Sequence, residues 1–148
     1  MAFRFRLDTL RRLRGSLEKR EKLRLMLLTG RMAQLQQMIA SLESERRGAR
    51  QQFEQQLAVG MLSGEVRFAT AVEAVRDLRR THLLLQAEDM EKQCQAQQVA
   101  YINARRAHEL LVLLRGRAWD LYQLKERRRE QQRLDELHLQ TCTAPPTS

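Results

Sequence analysis

Proline is missing from this chain until Pro145 and Pro146. A proline inside a helix costs about 3 kcal/mol through a lost N–H and a ring clash, so nothing before the extreme C-terminus forces a helix to stop. Aromatic residues are also scarce, at 5% with Trp119 the only tryptophan. That is too few for the core of an ordinary globular domain of this size. The two cysteines, Cys94 and Cys142, show no spacing that makes a metal site or redox pair, and they read as plain reduced thiols. No apolar run approaches the ~20 residues needed to cross a bilayer. Gly-rich phosphate loops, GxSxG and HExxH are absent, and His82, His108 and His138 are scattered without ligand-like partners. Acid–base catalysis needs carboxylates held in a concave site. The expectation is therefore no enzyme, no cofactor, no metal and no small-molecule substrate.

What the chain does contain is Gln, Arg, Leu, Glu and Ala, with 30% charged residues. With helical periodicity, that bias marks a coiled coil or long helix. A first stripe, Leu7, Leu10, Leu13 and Leu17, is spaced to share a helix face. It weakens over Arg20–Arg24 and resumes at Leu28, Met32, Leu35, Ile39, Leu42, Ala49, Phe53 and Leu57. The segment Gly60-Met61-Leu62-Ser63-Gly64 reads as a turn: Gly60 supplies a left-handed residue past a helix end, Ser63 a cap, and Glu65 a first-turn carboxylate. The second arm then carries Phe68, Val72, Val75, Leu78, His82 and Leu85. Beyond Met90 and Cys94, it continues through Tyr101, Ala104, His108, Leu111, Leu114, Ala118 and Leu121.

The fold class predicted is all-α: a long antiparallel two-helix coiled-coil hairpin over 1–140, with the second helix longer and overhanging. Helix 1 is expected at about 4–59, the turn at 60–64, helix 2 at about 65–138 and a disordered tail at 141–148. At 1.5 Å per residue, arms of ~54 and ~75 residues span roughly 80 and 110 Å. Antiparallel pairing about the turn places Leu7 beside Arg115, so the chain beyond Trp119 projects past the first helix. Such a hairpin buries only a narrow seam.

The net charge of +9 is unevenly spread. Residues 1–31 carry ten basic side chains against Asp8, Glu18 and Glu21, a local +7, while 118–148 is balanced. That points to an acidic partner, a membrane surface or nucleic acid near the start of the chain. A basic region followed by heptads would describe a DNA-binding zipper, but here leucines interrupt the basic stretch. The Arg-rich, acid-poor start also raises a mitochondrial transit peptide, against which the helical pattern runs straight on through Glu18–Lys22 with no cleavage zone. Near the turn, Phe53 and Phe68 are the clearest aromatic pair, readable as tip packing or as a contact patch.

The opening Phe3-Arg-Phe5-Arg-Leu7-Asp-Thr-Leu10, followed by Arg14 and Glu18, resembles the start of the FliJ proteins of bacterial flagellar export. The run Lys125–Glu136 resembles their C-terminal motif, and Ser63, Phe68 and Val72 fit the family's turn. The resemblance covers about residues 3–138. It implies a coiled-coil stalk similar to the central stalk of rotary ATPases, at the flagellar base or in a related type III system. It further implies a cytoplasmic location, peripheral on the cytoplasmic membrane face, with the export ATPase, the export-gate membrane protein and export chaperones as partners and no nucleic acid. By position, Arg11, Arg12, Arg14, Arg127, Arg128 and Arg129 would contact the ATPase ring. Phe53, Phe68, Val72 and Val75 would contact the gate. A basic coiled coil that binds nucleic acid or membrane is the alternative reading.

Overall fold

A computed structural model describes residues 2–143. They form an all-α helical hairpin of two helices, α1 (Asp8–Val59) and α2 (Ser63–Thr143). Both boundaries at the turn have a local cause. Gly60 has φ 111°, and its N–H donates to the Gln56 carbonyl at 3.0 Å, which is the single-bond left-handed ending of a helix. The Leu62 carbonyl accepts the first bonds of α2, from Glu65 and Val66. The Leu62 N–H in turn donates to the Glu65 carboxylate at 3.1 Å, the reciprocal half of a capping box. The cap expected at Ser63 thus belongs to Leu62, with Glu65 reaching back, and Ser63 is already helical.

The other ends also differ from expectation. α1 begins at Asp8 rather than near residue 4, because the first residues leave the helical path: Asp8 N–H donates to the Phe5 carbonyl and Arg11 N–H to the Leu7 carbonyl. Asp8 in the first turn suits the positive end of the helix dipole. α2 runs through Thr141–Thr143, assigned to the tail above, and the remaining tail positions 144–148 lie outside the described residues.

The described residues fall into two compact units, one built from Met1–Glu18 with Asn103–Ser148, the other from Lys19–Ile102. In the Lys19–Ile102 unit, Leu42 and Leu83 are buried at 5% exposure each. The half-buried positions flanking them on α1 are Leu28, Met32, Leu35, Ile39, Ala49 and Phe53, as the stripe predicted. Leu57, expected on the same stripe, is exposed.

The α2 side of this seam corrects the reading. Phe68, Val75, Leu78, His82 and Leu85 all point outward; Val72 is half-buried as expected, and the rest of the seam is Ala69, Glu73, Arg76, Arg80 and Leu83. The reason is a set of cross-helix ion pairs. Arg46, half-buried between Leu42 and Ala49, holds Glu73 and sits 2.6 Å from Asp77, while Arg80 donates to Glu43 at 3.2 Å. Paired charges with long aliphatic stems fill seam positions that a hydrophobicity stripe passes over. Further along α2, Met90, Cys94 and Tyr101 do lie in the seam, and Gln97 Nε2 donates to the Glu21 carbonyl at 3.2 Å and to its carboxylate.

In the other unit, Leu111 is buried, with Ala104, His108 and Ala118 beside it on the seam as expected. His108 Nδ1 donates to Glu18 at 2.6 Å, and its ring lies against Gly15, where a Cβ would come within 3.2 Å of Nε2. The α1 seam here is Asp8, Arg11, Gly15 and Glu18. Leu7, Leu10 and Leu13, predicted as the core stripe, are 42%, 39% and 54% exposed. Polar groups hold the contact and leucines flank it, which inverts the usual order.

Candidate functional site

Two surfaces carry the residues singled out by sequence. The first lies in the unit containing both described chain ends. Phe3 packs edge-to-face on Trp119, with centroids 5.0 Å apart and planes at 77°, and lies 5.5 Å from Tyr122. Trp119 and Tyr122 stack at 5.7 Å, one helical turn apart. Such pairs contribute about 0.5–1.5 kcal/mol each beyond their buried area, enough to pin the extended start of the chain onto α2. The sequence reading missed this cluster, although Trp119 and Tyr122 stand at helical spacing and Phe3 falls level with them about the turn. Beside it, an open groove of about 880 Å³ runs from Phe5 and Leu7 past Leu121 to Lys125 and Arg129. From Glu130 to Cys142 every residue of α2 is exposed, so the second helix overhangs here.

The six arginines predicted for the ATPase contact all belong to this unit, in unequal states. Arg11 is half-buried and donates through Nε to Asp8 Oδ1 at 2.9 Å. Arg12 meets Asp8 Oδ2 at 2.9 Å but remains exposed. The hydrogen bond from Arg11, with the charges of Arg11, Arg12 and Arg115 nearby, holds the Asp8 carboxyl below the usual carboxylate range despite an opposing desolvation. Arg129 donates to Glu126 at 2.8 Å, within its own helix. Arg14, Arg127 and Arg128 are exposed, and no carboxylate among the described residues pairs with them.

The second surface is at the turn end of the Lys19–Ile102 unit. Phe53, Phe68 and Val72 line a groove of about 350 Å³ with Gln56 and Arg76 on its rim. Val75 does not line it and is 65% exposed on the outer side of α2. Phe68 is 73% exposed and also borders an open hollow of about 700 Å³ with Val59 and Met61. Val59 and Leu62, next to the turn, are more exposed still. The structure thus gathers three of the four residues predicted for the gate contact into one concavity. Neither surface collects catalytic groups, and no cluster of three or more His, Cys, Asp or Glu side chains forms among the described residues.

A family model described as "Flagellar FliJ protein" matches residues 3–144. The chain belongs to the FliJ family. No curated protein and no solved structure matches it. As a FliJ protein it is a coiled-coil component associated with flagellar export, in a family of structural export proteins rather than known enzymes. Its partners are accordingly sought among proteins of the export apparatus. Among the described residues, no helix is long and apolar enough to cross a membrane.

Proposed function

We propose that this FliJ protein is a coupling stalk between the export ATPase and the export gate, acting from the cytoplasmic face at the flagellar base. The observation that supports this reading best is that Arg11, Arg12 and Arg14 from α1 and Arg127, Arg128 and Arg129 from α2 all belong to one compact unit. By the antiparallel register they are two basic zones roughly 25–30 Å apart along the unit, one beside the helix pair and one on the overhang, each suited to acidic loops lining a ring. Charges at such an exposed surface act mainly on encounter rate and orientation. A two-helix cross-section also has no rotational symmetry, so it presents different groups to each subunit of a surrounding ring and biases one over the next.

The turn-end groove is the proposed contact with the export gate. Phe53, Phe68 and Val72 offer an apolar concavity of the size that takes one or two partner side chains, with Val75 on its flank. Export chaperones are the further partners, on the exposed helical surfaces. The test is ATP turnover by the export ATPase with and without this protein. Stimulation with co-purification supports the stalk; unchanged turnover and no co-purification would sink it.

A further inference from the structure

The leucines displaced from the seam form a second seam of their own. In the unit of Met1–Glu18 with Asn103–Ser148, α1 presents Leu7, Leu10, Arg14 and Leu17 at alternating spacings of three and four residues, each one position before a seam residue. On α2, Leu110, Leu114, Arg117, Leu121 and Leu124 repeat the same pattern, again each one position before the seam or its continuation. In an antiparallel pair, positions preceding the seam on both helices fall on the same side. Where they overlap, with Leu7, Leu10 and Arg14 beside Leu110 and Leu114, the rows flank one shallow furrow, apolar and uncovered: Leu10 is 39% exposed, Leu110 59% and Leu114 37%, and the α2 row runs on past the start of α1 to Leu121, 59% exposed. A heptad row beside a heptad seam is what a helix shows when it packs against two neighbours, and here only one neighbour is present.

We propose that this furrow binds a third α-helix supplied by another protein, amphipathic, with an apolar stripe and carboxylates about two helical turns apart. The charges choose the occupant. The rows contain Arg14 and Arg117 and no acidic residue, and neither arginine is paired with a carboxylate among the described residues. A second copy of this chain would set arginine against arginine in an apolar furrow, at a cost. With the helices antiparallel, Arg14 and Arg117 stand about 12 Å apart along the furrow, which fixes the spacing of the partner's carboxylates. The inference rests on the spacing and exposure of these rows and not on the ATPase reading, although Arg14 belongs to both.

The probe is a synthetic helical peptide of about 25 residues with leucines at heptad spacing and glutamates two turns apart, compared with a twin in which lysines replace the glutamates. Fluorescence anisotropy with the full chain should show the glutamate peptide binding at least about tenfold tighter than its twin. Arg14→Glu with Arg117→Glu should reverse that preference. Leu10→Gln with Leu114→Gln should weaken the glutamate peptide at least about tenfold. Glutamine is a good helix former, so helix content by circular dichroism should be unchanged. Equal affinity for the two peptides, no binding of the glutamate peptide, or indifference to the leucine changes would each overturn the proposal. So would sedimentation showing a dimer of the full chain that the leucine changes dissociate, since the occupant would then be a second copy.

Discussion

The rows beside the seam differ sharply between the two units. In the Lys19–Ile102 unit, the positions preceding the α1 seam are largely polar (Arg31, Gln34, Ser41, Glu45), and on α2 they include Arg79, Gln86, Asp89 and Gln93. In the other unit the same positions are mostly leucine. In the first unit the row beside the seam is mainly polar, with apolar residues such as Met38, Phe68 and Val75 set singly among polar ones, and charges are drawn into cross-helix pairs. The other holds its pair together with Leu111, Gly15–His108 and the Phe3–Trp119–Tyr122 cluster, and turns leucines and arginines outward. The difference separates a segment built for pairing with itself from one built for pairing with something else.

That contrast breaks first at the buried leucines. Leu42→Ala or Leu83→Ala should destabilise by about 2–3 kcal/mol in urea unfolding, the low end for a buried leucine because a two-helix seam collapses readily onto the gap. Leu110→Ala, at an exposed row, should change stability by less than about 0.5 kcal/mol. Equal losses at the two would erase the distinction drawn between them. A middle-sized effect is expected at Arg46, where Arg46→Ala leaves Glu73 and Asp77 without their cross-helix partner. Those groups are a quarter to half exposed, so the loss should fall between those two cases and shrink in high salt.

Glycines sharpen the comparison further. Gly30 and Gly48 have open space around a would-be Cβ, so alanine there should raise stability by about 0.5–1 kcal/mol. Gly15→Ala meets the His108 ring at 3.2 Å and should gain clearly less, a difference readable in thermal melts of the three variants. The smallest effect concerns Asp8. Its carboxyl titrates below its ordinary value, so the stabilisation it gives is present above the unfolded-state pKa and is lost as pH falls through the folded one. Asp8→Asn should remove that acid-range dependence, visible as a flatter curve of melting temperature against pH below about pH 4.

Sequence made much of this legible where one residue type has one physical meaning. Gly60 is the clear case: a glycine closing a long apolar pattern is a left-handed helix end, and it adopts φ 111°. Leu28 to Leu42 were equally readable, because an uninterrupted row of apolar residues at three-four spacing has one place to go, and Ala49 and Phe53 resume it beyond Arg46. Phe68, Val75 and Leu78 misled because hydrophobicity alone ranks them above Glu73, Arg76 and Arg80, whereas charge pairing across the helices decides the seam. Leu7 and Leu10 misled for the opposite reason: two parallel rows compete there, and the apolar one is not the one that pairs. The start of α1 was misplaced because the pull of Trp119 and Tyr122 on Phe3 is a contact between residues far apart in sequence. Of the candidate site residues, the arginine clusters and Phe53, Phe68 and Val72 were visible as types and positions, but Arg11's commitment to Asp8 and Val75's outward placement follow only from geometry.

The central claim is that the arginine-bearing unit, and not the turn end, drives the export ATPase. The direct measurement compares ATP turnover of the purified ATPase with three full-length proteins: the wild type, a variant with Arg14, Arg127 and Arg128 changed to Gln, and a variant with Phe53→Ala and Phe68→Ala. The account predicts that the arginine variant loses most of the stimulation, about tenfold in the concentration needed, while the phenylalanine variant stimulates as the wild type does. Full stimulation by the arginine variant, with its loss in the phenylalanine variant, would contradict it.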